Sequence, residues 1–267
     1  MSAVTQAVRD SGIVTWRNWV GMKRVPDALI GLTIQPIMFV VLFALVFAGS
    51  LGGEPYREFL VAGIFAQTVA FNVFFTTIGM ANDLGKGIID RFRSLPMSRV
   101  AVVLGRAVSD LGVAVITLVV MSLTGLLVGW RIRSSFLDAL AGYALLLLFS
   151  FAMSWIGVLV GLLARNVEVA QSAGLIWLFP LTFVSSAFVS VQGFPEWLQP
   201  IGEWNPISAV ANACRELFGN PTQLPGFEPS TAWPSQHAVL YATLSSLVII
   251  AIFLPLAAAR YRRVASR

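Results

Sequence analysis

The residues of this 267-residue chain that could do chemistry are few, and their spacing excludes most reactions. The single histidine, His237, and the single cysteine, Cys214, supply neither a nucleophile–base pair nor a thiolate metal cluster. Gly85-Lys86-Gly87 lacks the upstream glycine and the Ser/Thr of a phosphate-binding loop, and neither G-x-S-x-G nor H-E-x-x-H occurs. What remains is paired charge. Arg106 and Asp110 stand four residues apart on one helix, Arg165 and Glu168 three apart on an inner loop, and both read as local structural pairs. No row of acids crosses an apolar segment, as the coupling carboxylates of a proton- or sodium-driven carrier would. The chain therefore carries no catalytic site, and any nucleotide chemistry belongs to another subunit.

The elements that hold these residues follow from composition. Hydrophobic residues make up 57% and charged residues only 12%, about half the charged share of ordinary globular chains. Mean hydropathy is +0.80. Too few polar side chains exist to cover a water-facing surface, so the chain is an all-α membrane protein. Apolar runs of about 20 residues predict six transmembrane helices, at Ile30–Ala48, Phe59–Ala81, Val100–Gly129, Ala139–Ala164, Ser172–Val191 and Ala238–Ala259. The whole, 1–267, is one transmembrane domain. The first residues hold Arg9 and Asp10 without the apolar core or cleavage site of a signal peptide. With both termini cytoplasmic, all but four of the 18 Lys and Arg (Arg57, Arg131, Arg133 and Arg215) fall on the inner side. The net charge of +5 is thus a topology signal rather than a nucleic-acid footprint.

Three connecting regions stand out. In residues 1–28, Val4, Val8, Trp16, Trp19 and Val20 recur at helical spacing against Arg9, Arg17, Lys23 and Arg24. This predicts an amphipathic interfacial helix ended by Val25-Pro26-Asp27, or else a simple positive flank. In the inner loop 82–99, Ile88, Ile89, Phe92 and Leu95 share one helical face, with Asp90, Arg91 and Arg93 elsewhere, ahead of Pro96. Such a short helix is either a docking surface or a loop that only fixes topology. The outer connection 192–237 holds Pro195 and Trp204, then a helix opened by Asn205-Pro206, carrying Arg215 and Glu216 and closed by Gly219. Two short apolar helices broken at Asn-Pro form a re-entrant hairpin in the outer leaflet, or a small extracellular cap.

Polar interruptions inside the spans are sparse: Gln35-Pro36, Gln67 and Asn72. With the aromatic residues near them they mark a candidate substrate path of Gln35, Phe39, Phe71, Asn72, Phe75, Phe179 and Phe183, although lipid-facing packing explains any single phenylalanine equally well. Aromatic and aliphatic walls with few charges suit a hydrophobic or amphiphilic compound such as a drug, natural product or lipid. Gly125-x-x-x-Gly129 and Gly157-x-x-x-Gly161 permit close helix contact.

Asp90-Arg91-Phe92-Arg93-Ser94-Leu95-Pro96-Met97-Ser98-Arg99, Glu203-Trp204-Asn205-Pro206 and Arg215-Glu216-Leu217-Phe218-Gly219, in this order and on these sides, resemble the membrane subunit of a type-2 ATP-binding-cassette (ABC) exporter. The closest resemblance is to the daunorubicin/doxorubicin-resistance permeases, and it runs over nearly the whole chain. It implies a permease in a bacterial inner membrane, paired with a second permease copy or paralogue and with two cytosolic ABC ATPase subunits that bind ATP and Mg. It assigns Ile88, Asp90, Arg91, Phe92 and Arg93 to the coupling helix that contacts the ATPase. The N-terminal segment becomes a connecting helix, and Pro195–Gly219 the hairpin that closes the outer mouth. Lys86-Gly87-Ile88 stands where many relatives have a glutamate and Gly-Thr. The rival reading from another class is a non-transporting scaffold or resistance protein that binds or senses a compound.

Overall fold

A computed structural model describes residues 3–23, 26–47, 53–87 and 99–264. Among these residues the fold is all-helical. α1 is Ala3–Lys23; α2 is Pro26–Leu42, continued by a π-helical turn over Phe43–Phe47; α3 is Gly53–Gly85; and α4 is Arg99–Leu127. α5 (Phe136–Leu163) and α6 (Val167–Phe183) follow. The short α7 (Gln199–Glu203), α8 (Pro206–Phe218) and α9 (Trp233–Gln236) lead into α10, Ala238–Val264. α3, the Leu104–Leu127 part of α4, α5 and α10 are long and apolar enough to cross a membrane; Ile34–Val46 and α6 are apolar but shorter.

α3 forms the centre and packs most extensively on α5. The reason is local. A Cβ at Gly157 would lie 2.8 Å from the Val73 carbonyl oxygen, and one at Gly161 would lie 2.7 Å from that of Thr77. The two glycines therefore bring the α5 backbone against α3. Gly125, by contrast, faces the Trp130 ring beyond the end of its own helix. A second notch receives the N-terminal helix. Val14 and Trp19 of α1 occupy the space that side chains at Gly105 and Gly112 of α4 would need. Hydrogen bonds from Thr15 Oγ1 to the Gly105 oxygen (3.1 Å) and from Asn18 to Ser109 (3.1 Å) fix the register.

Two sequence-based expectations about helices change. The apolar run Ser172–Val191 is not one helix: α6 ends at Phe183, and Val191 starts a separate 3₁₀ turn. The chain turns because buried serines take over hydrogen bonding. Ser185 donates to the Thr182 carbonyl, and the Ser186 N–H donates to Ser208 Oγ at 2.8 Å. Hydropathy averages these serines into the surrounding apolar run. Nor do Arg165 and Glu168, expected to pair on the inner loop, form an ion pair among the described residues. Asn166 between them is the cap of α6, accepting from the Val169 N–H at 2.8 Å, so Arg165 lies outside the helix and both charges are exposed.

Candidate functional site

The seven residues of the sequence-defined path lie on α2, α3 and α6. Five of them, Gln35, Phe39, Phe71, Asn72 and Phe75, line one notch between α2 and α3, of about 20 Å³. Phe71 meets Phe179 edge-on at 5.6 Å, and Phe179 stacks on Phe183 at 5.9 Å. The aromatic line continues through Phe188 to Phe43 and back to Phe39. Phe188 is not legible as a path residue in the sequence, because it lies in the turn after α6.

Polar chemistry enters this notch from α3. Gln67 is 4% and Asn72 8% exposed, and neither Gln67 Oε1 nor Asn72 Nδ2 has a hydrogen-bond partner among the described residues. A buried acceptor or donor left unpaired costs about 1–3 kcal/mol, so a ligand offering both kinds of group would gain from entering. The space as it stands suits one water. The notch combines one unused acceptor, one unused donor and aromatic walls without a charge. As it stands the space is too small for a neutral hydrogen-bonding group on an apolar body, and admitting one requires α2 and α3 to separate.

At one end of the bundle, α8 is anchored by Arg215, which is 0% exposed. Asn205 caps the helix by accepting from the Ile207 N–H at 2.9 Å, with Pro206 in the first turn. Gly219, at φ +69°, closes it in the left-handed conformation that glycine adopts without strain. Arg215 donates to the carbonyl oxygens of Phe59 (2.9 Å) and Ser186 (2.7 Å) and to Asn212 Oδ1 (2.7 Å), and its guanidinium lies 3.4 Å from the centre of the Phe59 ring. Among the described residues no carboxylate pairs with it. The charge is held by carbonyl dipoles and a ring face, and it ties α8 to α3 and to the turn after α6. Gly63 makes room: a Cβ there would lie 1.9 Å from the Ala187 oxygen. Nothing in the residue order distinguishes this arginine from a solvent-facing one.

Of the other hairpin residues, Pro195 and Glu216 are exposed, and Trp204 accepts the Tyr241 hydroxyl on its carbonyl at 2.8 Å. Nearby, Arg133 grips Glu58 at 2.9 and 2.7 Å; these hydrogen bonds, with the carboxylate's charge, push its guanidinium pKa above the ordinary arginine range.

At the opposite end, Arg106 joins Asp110 (3.2 Å) and Asp83 (3.7 Å), and Arg17 of α1 also reaches Asp83 at 3.7 Å. Thr76 donates to Asp110 at 2.7 Å. The Arg106–Asp110 pair is thus part of a network that joins α1, α3 and α4, with Asp83 as its hub. Asp83 lies just ahead of the predicted coupling segment. Ile88, Asp90, Arg91, Phe92 and Arg93 of that segment lie outside the described residues.

Residues 10–218 match the family described as ABC-2 type transporter. This chain belongs to that family. Among relatives of this ABC-2 permease, the "Daunorubicin resistance ABC transporter permease protein DrrB1" of Streptomyces coeruleorubidus is 33% identical over 205 residues, covering 76% of this chain and 72% of the relative. The "Probable doxorubicin resistance ABC transporter permease protein DrrC" of Mycobacterium tuberculosis H37Rv is 23% identical, covering 74% and 72%. The "Probable multidrug ABC transporter permease YbhR" of Escherichia coli K12 is 22% identical, covering 61% and 44%. The match to this permease family includes the path residues, the Asp83 network and the Arg215 anchor.

Proposed function

We propose that this ABC-2 permease is the membrane half of an ATP-driven exporter of hydrophobic or amphiphilic compounds. The observation that carries the reading is the notch in which Gln67 and Asn72 hold unused hydrogen-bonding groups among Phe39, Phe71 and Phe75. It suits relatives whose names attach them to daunorubicin or doxorubicin resistance. In this reading the chain crosses the bacterial inner membrane six times, α2 and α6 being the shorter spans, with both termini in the cytoplasm. α1 lies in the inner interface as the connecting helix, and Pro195–Gly219 forms the re-entrant hairpin at the outer mouth.

Two copies, or one copy and a paralogue, assemble with two cytosolic ATPases that bind ATP and Mg. Closure of the ATPases presses on residues 88–93, and the displacement reaches α3 through Asp83. From there Arg106 and Arg17 carry it to α4 and α1. The two ends of α3 then favour different states of the path, which is how a ligand-driven machine shifts populations.

Inside-out vesicles test the proposal, with daunorubicin as probe. Uptake is expected only with ATP and only when this chain and its co-purifying ATPase are both present. Binding without ATP-dependent uptake would replace the exporter by the scaffold reading, and uptake driven by a proton gradient alone would overturn it. Substituting Arg91 and Phe92 is expected to leave hydrolysis running without transport; unchanged transport would remove their coupling role.

A further inference from the structure

A second cavity, separate from the aromatic notch, opens at the hairpin end, the outer end in the orientation proposed above. Its volume is about 430 Å³, within the usual range of small-ligand sites, about 300–1,000 Å³. One wall is a single face of α8, where Ser208, Asn212 and Glu216 recur every fourth residue. Gln192 and Glu203 face them, and Thr222, Gln223 and Ser230 close the remaining side. We propose that this cavity binds a polyhydroxylated group, a sugar or sugar-like polyol, and favours one that carries a protonated amine.

The chemistry of the wall selects this ligand. Arg215 lies behind it and is a donor only, so its bond to Asn212 Oδ1 orients that amide. A hydroxyl from Ser186 reaches the same oxygen at 3.1 Å. Asn212 Nδ2 is therefore turned from the arginine, has no partner among the described residues, and serves as a donor in the cavity wall. Glu216 takes part in no ion pair among those residues and presents a carboxylate, while Glu203 already accepts the Ser230 hydroxyl. Thr222 and Gln223 add further unused groups of both kinds.

An apolar guest would strand these groups. A phosphate or sulfate would meet two carboxylates and no lining lysine or arginine, because every guanidinium nitrogen of Arg215 is occupied by protein oxygens. A polyol hydroxyl donates and accepts at once and so matches a mixed wall. An amine beside Glu216 adds a charge-assisted bond.

The test uses the full-length permease in phosphatidylcholine nanodiscs, with saturation-transfer NMR on glucosamine, glucose and glucose 6-phosphate. Glucosamine is expected to bind about tenfold more tightly than glucose, the worth of one hydrogen bond to a charged group, and glucose 6-phosphate not at all. E216Q should bring glucosamine down to the level of glucose. S208L, which fills the cavity from α8, and T222L, which fills it from the opposite wall, should each abolish both signals; either one that keeps the wild-type melting temperature is informative. No transfer to any sugar, equal binding of glucose 6-phosphate, or unchanged binding in a folded cavity-filling variant would overturn the site. An unchanged glucosamine preference in E216Q would overturn the amine assignment. Nanodiscs containing monoglucosyl diacylglycerol identify the source. Competition with free glucosamine marks a lipid headgroup, and its absence marks a soluble ligand or the polar end of the cargo; both uphold the site. Sugar binding needs no ATP, so it can fail while daunorubicin transport succeeds, and the reverse.

Discussion

The two ends of the bundle hold their arginines in opposite ways. Arg106 sits between two carboxylates, Asp110 and Asp83, and shares the second with Arg17. Among the described residues Arg215 has neutral partners only, and it is sealed from solvent. In the ion-pair network Arg106 has two carboxylates and Asp83 two arginines, so either can trade one partner for the other. A buried guanidinium bound to carbonyl oxygens has no other partner among the described residues, and each buried oxygen left without a donor costs about 1–3 kcal/mol. One end is thus built to rearrange and the other to stay fixed. The difference teaches which end a motor can work on without unfolding the molecule.

The largest break in this contrast is expected from Arg215→Ala. It leaves the carbonyl oxygens of Ser186 and Ala187 buried without this donor, a loss of at least about 2 kcal/mol. Fluorescence-detected size exclusion after heating should show the folded peak lost at a much lower temperature. Arg215→Lys keeps the charge but not the planar fork, and should recover only part of that loss. Gly63→Ala comes next, at about 1–3 kcal/mol, because its Cβ falls on the Ala187 carbonyl. Asp83→Asn should shift the melting temperature little, by about 1 kcal/mol or less, yet lower transport per ATP hydrolysed. If it unfolded the protein as Arg215→Ala does, the contrast between the ends would fail. The smallest effect belongs to Glu54→Gln, an exposed partner of Arg133, for which an unchanged melting curve is expected.

The helical frame was legible because hydrophobic runs longer than about 20 residues leave the backbone one solution in hydrocarbon. The caps of α8 were legible for the same kind of reason: Asn205, Pro206 and Gly219 each answer a local backbone requirement. The break at Val184 was not, since Ser185 and Ser186 become turn-formers only once Ser208 and Arg215 lie beside them. In the candidate site, spacing located five residues of the notch, but the unpaired state of Gln67 and Asn72 is a property of what the neighbouring helices fail to offer. Arg215 shows the limit most plainly. A count of charges assigns it to a side of the membrane, and only packing reveals that it is interior. The polar cavity was invisible for a related reason, as its walls come from segments separated by the whole of α7 and the loop after α8.

The glycine notch on α4 has a mechanical meaning. Val14 and Trp19 are seated in recesses two turns apart, so turning α1 about its own axis empties both, and sliding it by one residue drives a side chain into backbone. Only motions that carry α4 along leave the two seats filled. The N-terminal helix is therefore yoked to a membrane helix rather than resting beside it, and a load applied at either one is felt by both with little slack.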